Sequence, residues 1–193
     1  MKQRFVSSVL YELPFGPGRK FLNHGFTGKL AGGWDLGGIW SMASGAPIQI
    51  YSGTDRSATG IGNDRPDVVL GPDVNSGLRT PNQWFNMQAF ALQALYSYGN
   101  AGRNVVTGVP VFSIDFTAKK SFYITERKYL QFRFEAFNFL NHPNFGDPGN
   151  ALTSNQLNAQ GIPIPGTGGF GVITSTKAGI DMRELQFSLK LVF

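Results

Sequence analysis

The final stretch, Arg183-Glu184-Leu185-Gln186-Phe187-Ser188-Leu189-Lys190-Leu191-Val192-Phe193, restricts the fold more than any other part of the chain. Leu185, Phe187, Leu189, Leu191 and Phe193 share one parity, and Glu184, Gln186, Ser188 and Lys190 share the other. That is the period of a strand with one apolar and one polar face; a helix would mix the two sets. The sequence stops on an aromatic residue, where soluble domains more often carry polar, frayed ends. Taken alone, the stretch fits either an edge strand of a soluble sheet or a membrane strand.

Composition favours an all-β chain. With 41% hydrophobic and 13% aromatic residues in 193, the sequence is too apolar for disorder, and few segments carry a helical period. Gly 25, Pro 11 and only 15% charged residues point the same way. The absence of cysteine excludes disulfides and thiolate metal sites and suits an oxidising envelope. The net charge of +5 is dispersed over pairs such as Arg19-Lys20, Lys119-Lys120 and Arg127-Lys128. It would suit an anionic surface such as lipopolysaccharide, but it forms no stripe and argues against nucleic acid as a partner. No apolar run reaches the roughly 18 residues of a membrane helix. The opening Phe5–Leu10 run is cut by Glu12 and Pro14 and has no small-residue cleavage site, so it reads as a strand and not as a signal peptide.

Five alternating segments follow. Phe5, Ser7, Val9, Tyr11 and Leu13 oppose Arg4, Ser8 and Glu12, and a turn-rich Pro14–Arg19 stretch closes the segment. From Gly33 to Tyr51, Trp34, Leu36, Trp40, Met42, Ala46, Ile48 and Ile50 form one face against Asp35, Ser41 and Gln49, which predicts one unusually long strand. Phe112, Ile114, Phe116 and Ala118 oppose Ser113, Asp115, Thr117 and Lys119. After a short Ser121–Glu126 connection, Leu130, Phe132, Phe134 and Ala136 oppose Gln131, Arg133 and Glu135. There Phe137 and Phe139 reverse the phase, which predicts a bulge near Ala136. The terminal strand is the fifth.

The connections alternate between compact (Pro14 to about Phe26, Ser121–Glu126) and long (Ser52–Val109, Asn141 to about Ile180). The long ones are rich in Gly, Asp, Asn and Pro and read as mobile or functional loops, with a helical turn over Trp84–Phe90. Alternating loop lengths characterise outer-membrane barrels, whose periplasmic turns are short and extracellular loops long. With the terminal strand ending in the periplasm, both compact turns fall on that side. Tyr11, Trp34, Tyr123, Tyr129 and Phe193 then gather at the periplasmic interface as an aromatic girdle.

Several motifs resemble the carboxyl-terminal part of TonB-dependent outer-membrane receptors, in particular the Oar-like group with a carboxypeptidase-regulatory-like domain. They are Tyr11-Glu12-Leu13-Pro14-Phe15-Gly16, Gly33-Trp34, Ser44-Gly45-Ala46-Pro47, Asn63-Asp64-Arg65-Pro66 and, the most specific, Arg133 through Gly146 with its Phe-Glu-Ala-Phe-Asn-Phe-Leu-Asn-His-Pro-Asn-Phe run. The resemblance implies that residues 1–193 supply about the last five strands of a 22-stranded barrel with a plugged lumen. The plug, the TonB-contacting box and a signal peptide would lie upstream, and Met1 would fall inside a barrel strand. It also implies that Leu185, Phe187, Leu189, Leu191 and Phe193 serve as the signal read by the barrel assembly machinery. The expected partners are outer-membrane lipid and lipopolysaccharide, that machinery, and the remaining barrel and plug.

Physical reasoning also points to an incomplete barrel. Five antiparallel strands begin and end in the same direction, so the first cannot close antiparallel on the fifth. An open edge in hydrocarbon leaves unpaired N–H and C=O groups, each costing several kcal/mol.

No enzyme constellation stands out, so a non-enzymatic role without cofactor or metal is expected. His24 and His142 are the only histidines. Asp55, Asp64, Asp67 and Asp73 match no EF-hand spacing and read as turn formers. Gly166–Gly171 lacks the helix and Lys of a phosphate loop and reads as a flexible loop. Asp115, Lys119, Arg133, Glu135 and Lys190 share the lumen-facing parity, where they could contact a plug, line a substrate path, or simply pair across strands. The alternative to a barrel is a soluble all-β module whose long loops bind carbohydrate or protein.

Overall fold

A computed structural model describes residues 2–69, 73–125, 127–165 and 167–193. The expectations that rest on Met1, Gly71-Pro72, Glu126 and Gly166 lie outside the described residues. In chain order the elements are β1 (Arg4–Glu12), α1 (Gly25–Ala31), β2 (Trp34–Ala43), β3 (Pro47–Ile48), β4 (Asp67–Val68), β5 (Phe90–Ala91), β6 (Val106–Thr107), β7 (Val111–Tyr123), β8 (Tyr129–Phe137) and β9 (Glu184–Val192). The chain divides into two units. One comprises Arg4–Ala43, Phe112–Pro143 and Gly179–Phe193, the other Met1–Gln3, Ser44–Val111 and Asn144–Ala178.

The first unit is built from the five alternating segments, which form one sheet in the order β1-β2-β7-β8-β9. Each neighbour with a described register is antiparallel, from Glu12↔Asp35 at one end of β1/β2 to Arg4↔Ala43 at the other, and from Tyr129↔Val192 to Phe137↔Glu184 in β8/β9. Residues paired across strands share a face, so the register joins the separate alternations into two continuous surfaces. One carries Phe5, Val9, Leu36, Trp40, Phe116, Phe132, Phe134, Phe187 and Leu189. Its rings touch across strands, with Phe116–Phe134 at 6.4 Å and Phe134–Phe187 at 5.2 Å between centroids. This surface is open: Phe5 is 58% and Phe187 64% exposed. An apolar face of that extent is unfavourable in water and suited to a bilayer. β1 and β9 occupy the two edges of the sheet and do not pair with each other, so the sheet is open.

The register also brings Tyr11, Trp34, Tyr123 and Tyr129 to the same end of the sheet, where the Tyr123 and Tyr129 rings lie 5.5 Å apart. The extra residue expected near Ala136 sits slightly later. Pairing is regular through Phe116↔Ala136, after which Asn138 takes a φ of 45° and Phe139 N–H donates to the Ile114 carbonyl at 2.7 Å, one residue out of step.

Two expectations are corrected. The predicted long strand from Gly33 to Tyr51 ends at Ala43, and only Pro47–Ile48 pairs again, with Val106–Thr107. The break has a local cause: Gly45 passes so close to the Gly108 carbonyl that a Cβ there would lie 1.9 Å from its oxygen, and Pro47 cannot donate to a ladder. The long connections, expected as loops with little strand pattern, carry a core of their own. They fold into the second unit around a core of Ile50, Phe85, Met87, Phe90, Leu152 and Phe170. Phe85, Phe90 and Phe170 meet edge to face at 5.1 to 5.9 Å, the favoured geometry for aromatic quadrupoles. Phe170 belongs to the Gly-rich run read as flexible, yet it is 1% exposed. The expected helical turn is present as a 3-10 turn over Met87–Ala89.

Candidate functional site

The sheet face opposite the aromatic one carries Asp35, Asp115, Lys119, Arg133 and Glu135, which line one open groove. Its arrangement follows from register. Lys119 lies directly opposite Arg133, a like-charge pair that would destabilise the β7/β8 ladder if left alone. Each cation has an acidic neighbour instead. Lys119 Nζ reaches Asp35 Oδ2 at 2.7 Å on β2, and Arg133 lies 3.7 Å from Glu135 two residues along its own strand. Lys190 sits on the same face opposite Gln131, towards the β9 edge. Four of the five lumen-parity residues expected from sequence thus line one groove, and Lys190 lies further along the surface.

Asp115 has a second task. Its Oδ1 accepts the Ser113 hydroxyl at 3.2 Å and the Asn138 backbone N–H at 2.9 Å, fixing the point where β8 leaves the sheet. Asn138 is nearly buried. Its side-chain amide donates to the carbonyls of His142 at 2.9 Å and Asp181 at 3.1 Å, and its side-chain oxygen accepts the His142 N–H at 3.0 Å. The imidazole of His142 packs edge-on against Phe112 at 5.3 Å. These contacts give the Phe-Asn-Phe-Leu-Asn-His-Pro run a structural purpose: it turns the chain out of β8 and secures the approach to β9. Sequence reasoning passed over Asn138 because a lone Asn among aromatics has no periodic signature.

Lys120 was also missed. It occupies the apolar row of β7, between Ala118 and Phe122 and opposite Phe132. Its ammonium donates to the carbonyls of Leu30 at 2.5 Å, Gly32 at 2.7 Å and Lys29 at 3.3 Å, and lies over the rings of Trp34 and Phe122. A cation closing the last carbonyls of a helix complements both their lone pairs and the helix dipole. The signal in the sequence was a single Lys interrupting an otherwise apolar row.

In the second unit the four aspartates of the long connection all accept backbone amides. Asp55 receives Thr59 and Gly60, Asp67 receives Asn100, and Asp73 receives Asn75. Asp64 accepts the Arg56 and Ser57 amides at 2.7 Å each, the Ser57 hydroxyl at 2.9 Å and the Gln93 side-chain amide at 3.3 Å. Its pKa is held below the ordinary 3.8, chiefly by the Ser57 amide; burial opposes this, and the Ser57 hydroxyl and Arg56 amide reinforce it. Among the described residues no three His, Asp or Glu side chains converge on a common point that could hold a metal. The groove offers charges of both signs.

The terminal-strand residues Leu185, Phe187, Leu189 and Leu191 lie on the aromatic face, each more than half exposed, and Phe193 is 92% exposed. A family model described as "Outer membrane beta barrel domain" matches residues 1–186. No curated protein and no solved structure matches the chain.

Proposed function

The chain belongs to the outer-membrane β-barrel domain family and so resides in the bacterial outer membrane; from that premise we propose that it forms the carboxyl-terminal wall of a TonB-dependent-type receptor, of the Oar-like kind, that binds or imports a ligand only as part of a larger barrel. The observation carrying this reading is the open sheet. β1 and β9 present free edges while the intervening strands expose a continuous apolar face. Unpaired backbone groups are not tolerated against lipid, so further strands must complete the wall. Loop lengths and the Phe134–Phe145 motif support a receptor. The outer-membrane family displaces the soluble-module reading.

In this role the protein binds and passes ligand without catalysing a reaction or using a cofactor. Asp115, Lys119, Arg133, Glu135 and Lys190 face the lumen, where they meet a plug or the ligand path. Leu185, Phe187, Leu189, Leu191 and Phe193 present the alternating signal to the barrel assembly machinery. Lipid and lipopolysaccharide surround the aromatic face, and nucleic acid is not a partner.

Photo-cross-linking tests the reading. A photoreactive residue placed at Ser188 on β9 or at Ser8 on β1 should cross-link, in the outer membrane of the producing cells, to polypeptide outside β1–β9. Cross-linking of position 188 to β1, or of position 8 to β9, of the same chain would overturn it. Import is tested by offering labelled ferric chelates and oligosaccharides to cells with and without TonB: accumulation lost without TonB supports the receptor, and accumulation that persists rejects energy coupling.

A further inference from the structure

The connection between β1 and β2 expected to be a compact turn contains α1 and leaves its apolar side chains facing outward. Phe21 is 47%, Leu22 50%, Phe26 79% and Leu30 61% exposed. Phe26 and Leu30 are four residues apart on one side of α1. Gly28 faces the other way, so tightly against the Leu22 carbonyl that a Cβ would come within 2.2 Å of its oxygen. The helix is therefore held by its glycine side and presents its large apolar side chains outward.

Its position relative to the sheet is fixed by two contacts, both from the aromatic face. Lys120 closes the helix carbonyls, and Trp34 Nε1 donates to Leu30 O at 3.3 Å. Trp34 shares the parity of Leu36 and Trp40, and Lys120 that of Phe116 and Phe122. α1 thus lies on the surface that faces lipid, at the end of the sheet bearing the shorter connections, which is periplasmic in outer-membrane barrels. From Leu13 to Gly33 there is no acidic residue, while Arg19, Lys20 and Lys29 are basic. Arg19 is engaged by Glu12 at 2.7 Å. Lys20 and Lys29 are exposed; Lys20 lies over the Phe21 ring at 5.3 Å, and Lys29 stands at a groove also lined by Glu12, Arg19 and Asp35.

We propose that residues 13–33 form an interfacial foot seated in the periplasmic leaflet, with Phe21, Leu22, Phe26 and Leu30 at the boundary of headgroups and acyl chains and Lys20 and Lys29 on phospholipid phosphates. Apolar side chains flanked by cations are what binding to an anionic lipid surface requires, and the segment itself carries no carboxylate. The foot is continuous with the lipid-facing wall. Lys120 acts as its latch: a charge in the apolar row is solvated by carbonyls instead of being left in hydrocarbon. The inference rests on outer-membrane residence and not on the receptor reading.

The test uses the purified outer-membrane protein in proteoliposomes, with an environment-sensitive fluorophore on single cysteines at Phe26→Cys, Leu30→Cys, Thr27→Cys and Phe187→Cys. Phe187→Cys reports whether the wall itself is in lipid. With that label quenched by lipid-borne quenchers, Phe26→Cys and Leu30→Cys should be quenched several-fold more by a shallow quencher than Thr27→Cys, and should be shielded from aqueous iodide. Iodide quenching at positions 26 and 30 equal to that at 27 would overturn the foot. A quencher carried on phosphatidylglycerol should act at least twofold more strongly than the same quencher on phosphatidylcholine, and Lys20→Gln with Lys29→Gln should remove the difference. Equal quenching in the unsubstituted protein overturns the phosphate pairing. Lys120→Met should release the shallow quenching at position 26 while leaving it unchanged at position 187; loss at both positions would mean that Lys120 holds the sheet rather than the foot.

Discussion

Asp115 Oδ1 accepts the backbone N–H of Asn138 at 2.9 Å, across the point where β8 stops pairing in register with β7. The bond explains how a left-handed residue is held there: the carboxylate satisfies its amide while its side chain ties down His142 and Asp181. Replacing Asn138 by Ala should lower stability by about 1–2 kcal/mol, because the partly enclosed backbone groups of His142 and Asp181 lose partners and a Cβ residue without side-chain compensation remains at positive φ. Asn138→Gly should fall between the two, relieving the backbone but not restoring the bonds. Urea unfolding of the membrane-embedded protein checks the order; equal stability of all three proteins would reject the role given to Asn138.

The ion pair of Asp35 and Lys119 should matter little to stability. Its side chains are 23% and 31% exposed, and pairs of that kind contribute about 0.2–1 kcal/mol. A double-mutant cycle with Asp35→Ala and Lys119→Ala should return a coupling in that range, decreasing with added salt. Asp35→Ala alone should cost more than the double substitution, since it leaves Lys119 facing Arg133 unrelieved.

Phe170 is the severest truncation site expected in the second unit. It is fully enclosed and meets both Phe85 and Phe90 edge to face. Phe170→Ala should cost about 3–5 kcal/mol in that unit. Hydrogen exchange should show lost protection around Ile50, Phe90 and Leu152, with the ladder of β8 and β9 retained. Protection lost uniformly across both units would show that they do not unfold separately.

Acid should loosen the unit that holds Asp64. Its pKa is lower when folded than when unfolded, so its stabilising contribution is fully present above the ordinary value of 3.8 and is lost as pH falls through the folded value. In a background with Trp34 and Trp40 replaced by Phe, Trp84 fluorescence should report an acid transition in the unit. Asp64→Asn should be less stable near neutral pH and show a weaker pH dependence below 3.8. An unchanged acid profile would mean that other carboxylates govern the transition.

The sheet was readable because alternation is a local code. In β9 the apolar residues other than Val192 announce their face by parity, and the same held for Phe112–Ala118 and Leu130–Ala136. The second unit was not readable, because Phe85, Leu152 and Phe170 come from turns and irregular backbone and Phe90 from a two-residue strand, with no period to betray burial. Lys120 and Asn138 were missed for a related reason: their partners lie in distant segments, at Leu30 and Gly32 for one and at Asp181 for the other.

The sequence alone determined that this is an all-β chain whose five long strands carry an apolar parity suited to lipid, since side-chain direction in a strand depends only on position along it. Only the tertiary structure decided that the long connections fold around a core of their own, that the first connection carries an outward-facing helix, and that four of the five lumen-parity charges meet in one groove. These depend on which strands become neighbours and in what register, and contacts between distant residues leave no pattern in the order of the chain.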